Sequence, residues 1–419
     1  MNKILIAVIT ILTVAGLLLG SGCTPATGPT PEPTPTPTPA PAEPMVLDIG
    51  IATPLTGQTA DIGAQMQNAV LLAIKDQNDQ GGVTIAGQKY TLNSIISDTK
   101  NDTQVGKTVA EELIYSKKVK VIFGPAIEDA IGAQPVTEAN KVVGIFLQPI
   151  TPAMCNPDKP YTFFVGGAIL QSYNVVVAYI PEYYPEAKTV LSILPDAIDA
   201  PVFLGPAEAM CKYYGLQWLG AEKFPIGTRD FSSIITRALA KNPDIIDTAS
   251  IGGMMGPLVA DLARQIREAG YKGIIMIPTT PSLGAMEQII PEQYRTNIVV
   301  SEMNPESPLL PDSYREMGSR YTAMFEKPAD HNIICKMYTV SKSFFELLNG
   351  QETMDTTAWM NAFAEKRWTA IWGQETFFIG KPIWGINRVV LGPRFVSEYI
   401  DGKLETREVT LPMDLYYAK

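Results

Sequence analysis

Short apolar runs alternating with amphipathic stretches, twice over, leave this chain few folds to choose from. Residues 45–52 read as a buried strand. Residues 63–78 then carry Met66, Ala69, Val70, Ala73 and Ile74 at i, i+3, i+4, i+7 and i+8, the stripe of a helix lying on a sheet. Strand 90–97, helix 105–115, strand 119–123, helix 129–140 and strand 142–147 follow. Such alternation implies a parallel sheet covered on both faces. The pattern restarts with helix 171–184, strand 189–194, helix 201–214 and strand 216–224. Phe231, Ile234, Ile235, Ala238 and Leu239 mark the next helix, with Asp230 as its N-cap, ahead of strand 245–250, helix 257–269 and strand 273–277. Helices are further expected over 331–349 and 357–366, and Asp401-Gly402 between 395–400 and 404–409 signals a hairpin. Two successive units of similar size mean two lobes of like design. Ligands of open α/β sheets bind beyond the carboxyl ends of the strands, so two facing lobes put such sites on opposite walls of one cleft.

A different kind of sequence precedes residue 45. Lys3 opens a basic start, and the apolar stretch 4–19 is shorter than the ~20 residues of a membrane-spanning helix. Gly20-Ser21-Gly22 ends it, the layout of a cleaved secretory signal over residues 1–22. Cys23 comes directly after those small residues, as in a bacterial lipobox, with Gly20 where the pattern prefers Leu. The expectation is a diacylated Cys23 that begins the mature protein; the alternative is an ordinary signal followed by an incidental cysteine. Residues 23–44 alternate Pro with Thr, Ala, Gly or Glu, which suits an extended spacer of roughly 3 Å per residue. An O-glycosylated decoration is the other reading of that tract. The chain is expected outside the cytoplasm, tethered to the cell membrane by its lipid.

Composition removes several classes. A net charge of −10 argues against nucleic acid, whose phosphates need clustered Lys and Arg. No segment after the leader is long and apolar enough to span a membrane. Cys155, Cys211 and Cys335 match no zinc spacing, and His331 is the single histidine, so no metal or other cofactor is expected. The three thiols are either free and buried or include one optional disulfide. No Gly-x-Ser-x-Gly elbow, His-Glu-x-x-His or phosphate loop is present, and adjacent carboxylates such as Glu128 and Asp129 rarely converge on one bond. An enzyme is not expected.

Ile49-Gly50-Ile51-Ala52-Thr53-Pro54-Leu55-Thr56-Gly57, followed by Gly63-Ala64-Gln65, resembles the opening of type I periplasmic solute-binding proteins. These are the receptors of ABC importers of the branched-chain amino acid type. Asn78-Asp79-Gln80-Gly81-Gly82-Val83, Val121-Ile122-Phe123-Gly124-Pro125, Asp230-Phe231-Ser232 with Asn242-Pro243-Asp244, and Arg264-Gln265-Ile266-Arg267-Glu268-Ala269-Gly270 strengthen the likeness, which covers nearly all of 45–419. The resemblance implies an α/β fold of two doubly wound parallel-sheet lobes joined by a three-segment hinge. Crossings are expected near 165–170, 295–305 and 365–375. Lobe one is then 45–167 plus 300–368, and lobe two 168–299 plus 369–419. It further implies capture of a small molecule by hinged closure and docking on an ABC permease. A sensory receptor of the same fold, signalling to a membrane partner, is the rival reading.

Cleft positions carry over one at a time. Where amino-acid binders place a serine to hold the ligand carboxylate, this chain has Ile127-Glu128-Asp129. Gln148-Pro149-Ile150-Thr151 resembles a Ser-Pro-Ala-Ala-Thr segment with one residue deleted, so Thr151 would supply a hydroxyl and Ile150 its backbone. An aromatic of the first loop falls near Ile62, and tyrosines of the second lobe fall near Ala200 and near Met254-Met255. The acid that pairs with an α-amino group falls at Thr279. A ligand carboxylate beside Glu128 would meet repulsion, and an α-ammonium group would lack its counter-ion. Met254, Met255, Ile62 and Ala200 suggest a roomier, more apolar cleft. The expected ligand is an amino acid, amide, amine or aromatic compound, not held in the usual zwitterionic way. Glu128 and Asp129 also fit as caps of the helix they begin, and Met254-Met255 as packing. Trp372 or Trp384 could reach the cleft mouth.

Overall fold

A computed structural model describes residues 45–57, 59–148, 150–166, 169–196, 200–248, 257–278, 283–327, 329 and 333–416. The leader, Cys23, the 23–44 spacer, Met254, Met255, Thr279 and His331 lie outside the described residues. The first run of elements is β1 (Met45–Thr53), α1 (Ala60–Asp79), β2 (Val83–Ile85), β3 (Gln88–Asp98), α2 (Thr103–Glu111), β4 (Val121–Phe123), α3 (Glu128–Ala139), β5 (Val143–Phe146) and β6 (Thr162–Phe164). The second is α4 (Ile169–Tyr183), β7 (Thr189–Pro195), α5 (Ala200–Tyr213), β8 (Gln217–Phe224), α6 (Ser232–Leu239), β9 (Ile245–Asp247), α7 (Pro257–Glu268), β10 (Ile274–Ile277), α8 (Leu283–Ile289) and β11 (Ile298–Val300). Then come α9 (Asp312–Phe325), α10 (Ile333–Leu348), α11 (Thr356–Glu365), β12 (Trp368–Thr369), β13 (Glu375–Thr376), β14 (Phe378–Ile379), α12 (Lys381–Trp384) and β15 (Val389–Val390). The hairpin β16 (Phe395–Ile400) and β17 (Lys403–Glu408) turns at Asp401-Gly402, as expected.

Two large sheets result, in the order β14-β15-β6-β5-β4-β1-β3-β2 and β17-β16-β11-β10-β9-β7-β8, and β12 and β13 pair antiparallel as a separate two-stranded sheet. Their central pairings are parallel, and the antiparallel pairs β2/β3, β14/β15, β11/β16 and β16/β17 lie toward the edges. β1 is flanked on both sides, which is why it reads as a nearly continuous apolar run. The α1 stripe lands as its spacing requires: Met66, Ala69, Val70, Ala73 and Ile74 are all buried. One face of the first sheet packs on α1, α10 and α11, and the other on α2 and α3. The second sheet is covered by α4 and α5 on one face and by α6, α7 and α8 on the other.

The sheets locate the passages between lobes. The chain leaves the first sheet after β6 and re-enters as α4; it leaves the second after β11 and returns as α9. The third passage differs from the expected 365–375. β14 and β15 still pair in the first sheet, next to β6, and only β16 rejoins the second, so this passage lies at 391–394. Aromatic packing explains the difference. Phe378 meets Phe163 at 4.7 Å and Phe363 at 4.9 Å between ring centroids, which draws the segment into the first lobe's core. Trp372 is fully buried in the same cluster and borders a pocket of about 480 Å³ with Leu310, Arg394, Phe395 and Glu408, while Trp384 packs partly buried on the opposite face.

Candidate functional site

Loops at the carboxyl ends of β1, β3, β4 and β5 form one wall. Asp98, the last residue of β3, fastens the first of them: Leu55 N and Lys100 N donate to Oδ1 at 2.8 and 2.9 Å, and Thr56 Oγ1 donates to Oδ2 at 2.7 Å. Partial burial opposes its ionisation, but these hydrogen bonds outweigh it and hold the carboxyl below the usual range. The β4 and β5 loops are zipped together by Leu147 N to Pro125 O (2.9 Å) and Gln148 N to Ala126 O (3.0 Å). Gly124 begins the β4 loop at φ +104°, where an added Cβ would run into the Thr53 side chain. Only glycine serves there.

The start of α3 is the most informative part of this wall. Asp129 is completely buried. Its Oδ1 accepts from Ala126 N (2.8 Å), Ile127 N (2.9 Å) and Ala130 N (3.0 Å), and its Oδ2 from Thr99 Oγ1 at 2.6 Å. Burial pushes its pKa up while those bonds pull it down, and burial prevails. A helix N-terminus is a ready anion site. Here an internal carboxylate already takes its amides. Asp129 therefore shapes the loop, buried behind exposed Glu128. Glu128 is exposed and exchanges hydrogen bonds with Asn101: its amide donates to Asn101 Oδ1 at 3.2 Å, and Asn101 Nδ2 donates to its carboxylate.

The other expected positions divide. Ile62 sits half-buried in the first turn of α1, against the first-lobe core, and Ile150 packs partly buried on α3's side of the sheet. Thr151 is half-buried, and its carbonyl accepts from Met154 N (3.0 Å) and Cys155 N (2.8 Å). Ala200 is fully buried in the second lobe's core, where the first residue of α5 turns its methyl inward.

Sequence reasoning missed two features. Asp247 ends β9 fully buried, accepting from Ser192 Oγ at 2.7 Å and Tyr173 OH at 3.1 Å, with burial lifting its pKa to about 7. An acid at the end of an otherwise apolar strand was the available signal. The second is a cavity where both lobes meet, lined by Gln171 and Ser172 of α4, Ser301 and Glu302 after β11, Lys336 of α10 and Gly392. At about 30 Å³ it has room for a water or two and not for an organic ligand. Cys155, Cys211 and Cys335 are buried and form no disulfide; burial pushes the thiols of Cys155 and Cys211 up to about 12. Among the described residues, no three His, Cys, Asp or Glu side chains converge as a metal site, and no helix is long and apolar enough to cross a membrane.

Comparison with known proteins agrees with this fold. The family described as periplasmic binding protein matches residues 46–381. The Leu/Ile/Val-binding protein homolog 1 of Brucella abortus is 28% identical over 230 residues, 54% of this chain and 58% of that protein. The chain thus spans little more than half the length of this curated relative. A leucine-, isoleucine-, valine-, threonine- and alanine-binding protein of Pseudomonas aeruginosa is 22% identical over 68% of this chain and 74% of its own. Among solved structures, the branched-chain amino acid transporter substrate-binding protein LivJ of Streptococcus pneumoniae, in complex with isoleucine, superposes with a TM-score of 0.63 at 18% identity, covering 88% of this chain and all of that one. A solute-binding protein of an ABC transporter from Rhodopseudomonas palustris, in complex with 3,4-dihydroxybenzoic acid, reaches a TM-score of 0.66 at 21% identity, covering 88% and 99%.

Proposed function

Because the chain belongs to the periplasmic binding protein family, whose match spans most of its length, we propose that it captures a small organic solute between its lobes and delivers it to an ABC importer. Cys23 holds it to the membrane through its lipid, and the 23–44 spacer lets the folded body reach solute and permease alike. Glu128, Thr151, Ile150 and Ile62 are the proposed ligand contacts of the first lobe, and Met254, Met255 and Thr279 are those that the sequence offers from the second. Asp129 contributes by keeping the α3 loop in shape.

The observation that carries the ligand reading is the hydrogen bonding of Asp129. Two amides of the loop before α3, of Ala126 and Ile127, and one of its first turn, of Ala130, are satisfied internally, and Glu128 stands exposed beside them. A ligand carboxylate would find those amides already taken and a like charge nearby. The ligand therefore meets this wall with an amide, amine or hydroxyl, and is not a branched-chain amino acid held by its α-groups. One similar structure holds isoleucine and another 3,4-dihydroxybenzoic acid, so the fold takes both an aliphatic amino acid and an aromatic compound.

A thermal-shift panel of amino acids, their amides, amines and aromatic acids tests this. A ligand at 100 times its Kd adds about 2.7 kcal/mol of stability. Amides, amines or aromatic compounds without an α-carboxylate should give the largest shifts. Leucine or isoleucine giving the largest would overturn the reading. For the transport role, purified protein should stimulate uptake of that ligand into vesicles carrying its permease. For the anchor, Cys23→Ser should move the protein from the membrane to the soluble fraction.

A further inference from the structure

After its three passages the chain ties the lobes together once more. Beyond β17, Val409 and Leu411 remain buried in the second lobe's core, and Val409 N donates to Arg394 O at 2.9 Å. Met413 and Leu415 then pack against the cores of both lobes. Tyr416 is fully buried in the first lobe's α2/α3-side cluster, with Phe377, Ile379 and Val389. Its carbonyl accepts from Gly380 N, just after β14, at 2.6 Å. Its hydroxyl is held from the other side: Asn174 of α4 donates to it through Nδ2, and Tyr214 OH donates to Asn174 Oδ1. One residue has its main chain and ring fixed in lobe one and its hydroxyl held by lobe two.

We propose that residues 409–416 form a strap across the hinge that limits how far the lobes rotate apart, and so sets the population of the open form that admits ligand. The reasoning is geometric. Any rotation that carries α4 away from β14 and β15 must break the Asn174–Tyr416 bond or pull a buried phenol from its pocket. The covalent passages impose no such cost, because they can flex at a few backbone torsions. The strap instead adds contacts present in only one range of lobe angles, which is what a population shift requires.

Pulsed EPR distances on the ligand-free full chain test it. Labels at Ile131→Cys in lobe one and Ile226→Cys in lobe two, both exposed, in a Cys23→Ser background, report the separation, while the three native thiols are buried. Tyr416→Phe removes the hydroxyl and keeps the ring; the ratio of open to closed forms should rise about five-fold, the equivalent of one hydrogen bond. Asn174→Ala should do the same from the other lobe, and Tyr416→Ala should broaden the distribution further. Distance distributions unchanged in Tyr416→Phe and Asn174→Ala would overturn the proposal, even with a lowered Tm, because a purely structural tail changes stability alone. Should Tyr416→Ala fail to fold, the two conservative variants still decide the question.

Discussion

At Asp129 one carboxylate satisfies four donors that would otherwise be buried without partners. Asp129→Ala should therefore cost about 2–4 kcal/mol in urea unfolding, since each orphaned donor costs roughly 1–3 and the loop relaxes in part. Asp129→Asn keeps an acceptor and should recover about half of that. Asp247 is a different case. Its folded pKa of about 7 stands above the ordinary 3.8 because burial disfavours its charged form. The folded protein then holds this proton more tightly than the unfolded chain does. The associated stability is complete below about pH 4 and is lost as pH rises to about 7, on the order of 3–4 kcal/mol. Comparing Asp247→Asn with the unaltered chain across that window isolates the effect: the variant should gain relative stability as pH rises. A difference that stays flat with pH would mean the carboxyl is not strained by burial. The thiols make a third case: Cys155 and Cys211 should react with a thiol reagent only at the rate of unfolding.

Elements long enough to display their period were legible in the sequence. The α1 stripe, the β1 run and the β16–β17 turn are read from residues and found where expected. Two-residue strands such as β14 and β15 carry no period at all, and their place beside β6 is set by Phe163 and Phe363 far away in the chain. That is why the third passage was expected too early. The site was legible only in part for a related reason. Residue type marks Glu128 and Asp129 equally as acids, but only the fold says that one is exposed and the other spent on amides. Ala200 fell at a position whose side chain turns inward, which spacing alone does not reveal. Gly124 shows the converse, a motif residue with a clear physical task. Gly124→Ala should destabilise by about 2–3 kcal/mol, from its φ of +104° and the clash with Thr53. Chemical denaturation would measure it, and a loss under about 0.5 kcal/mol would mean that the loop adapts freely.

Across the whole molecule, two α/β lobes meet through three passages, and Met413 and Leu415 near the C-terminus pack against the cores of both. On the two proposals, lobe motion and ligand chemistry are separate controls: the strap would bear on how often the cleft opens, and the α3 loop on what it accepts. The central claim is that the captured solute lacks the conventional pair of α-amino and α-carboxylate groups. Native mass spectrometry on protein purified from its own host, before and after denaturation, reads this most directly. The account predicts one released small molecule per chain, an amide, amine or aromatic compound. Leucine, isoleucine or valine released in its place would contradict it.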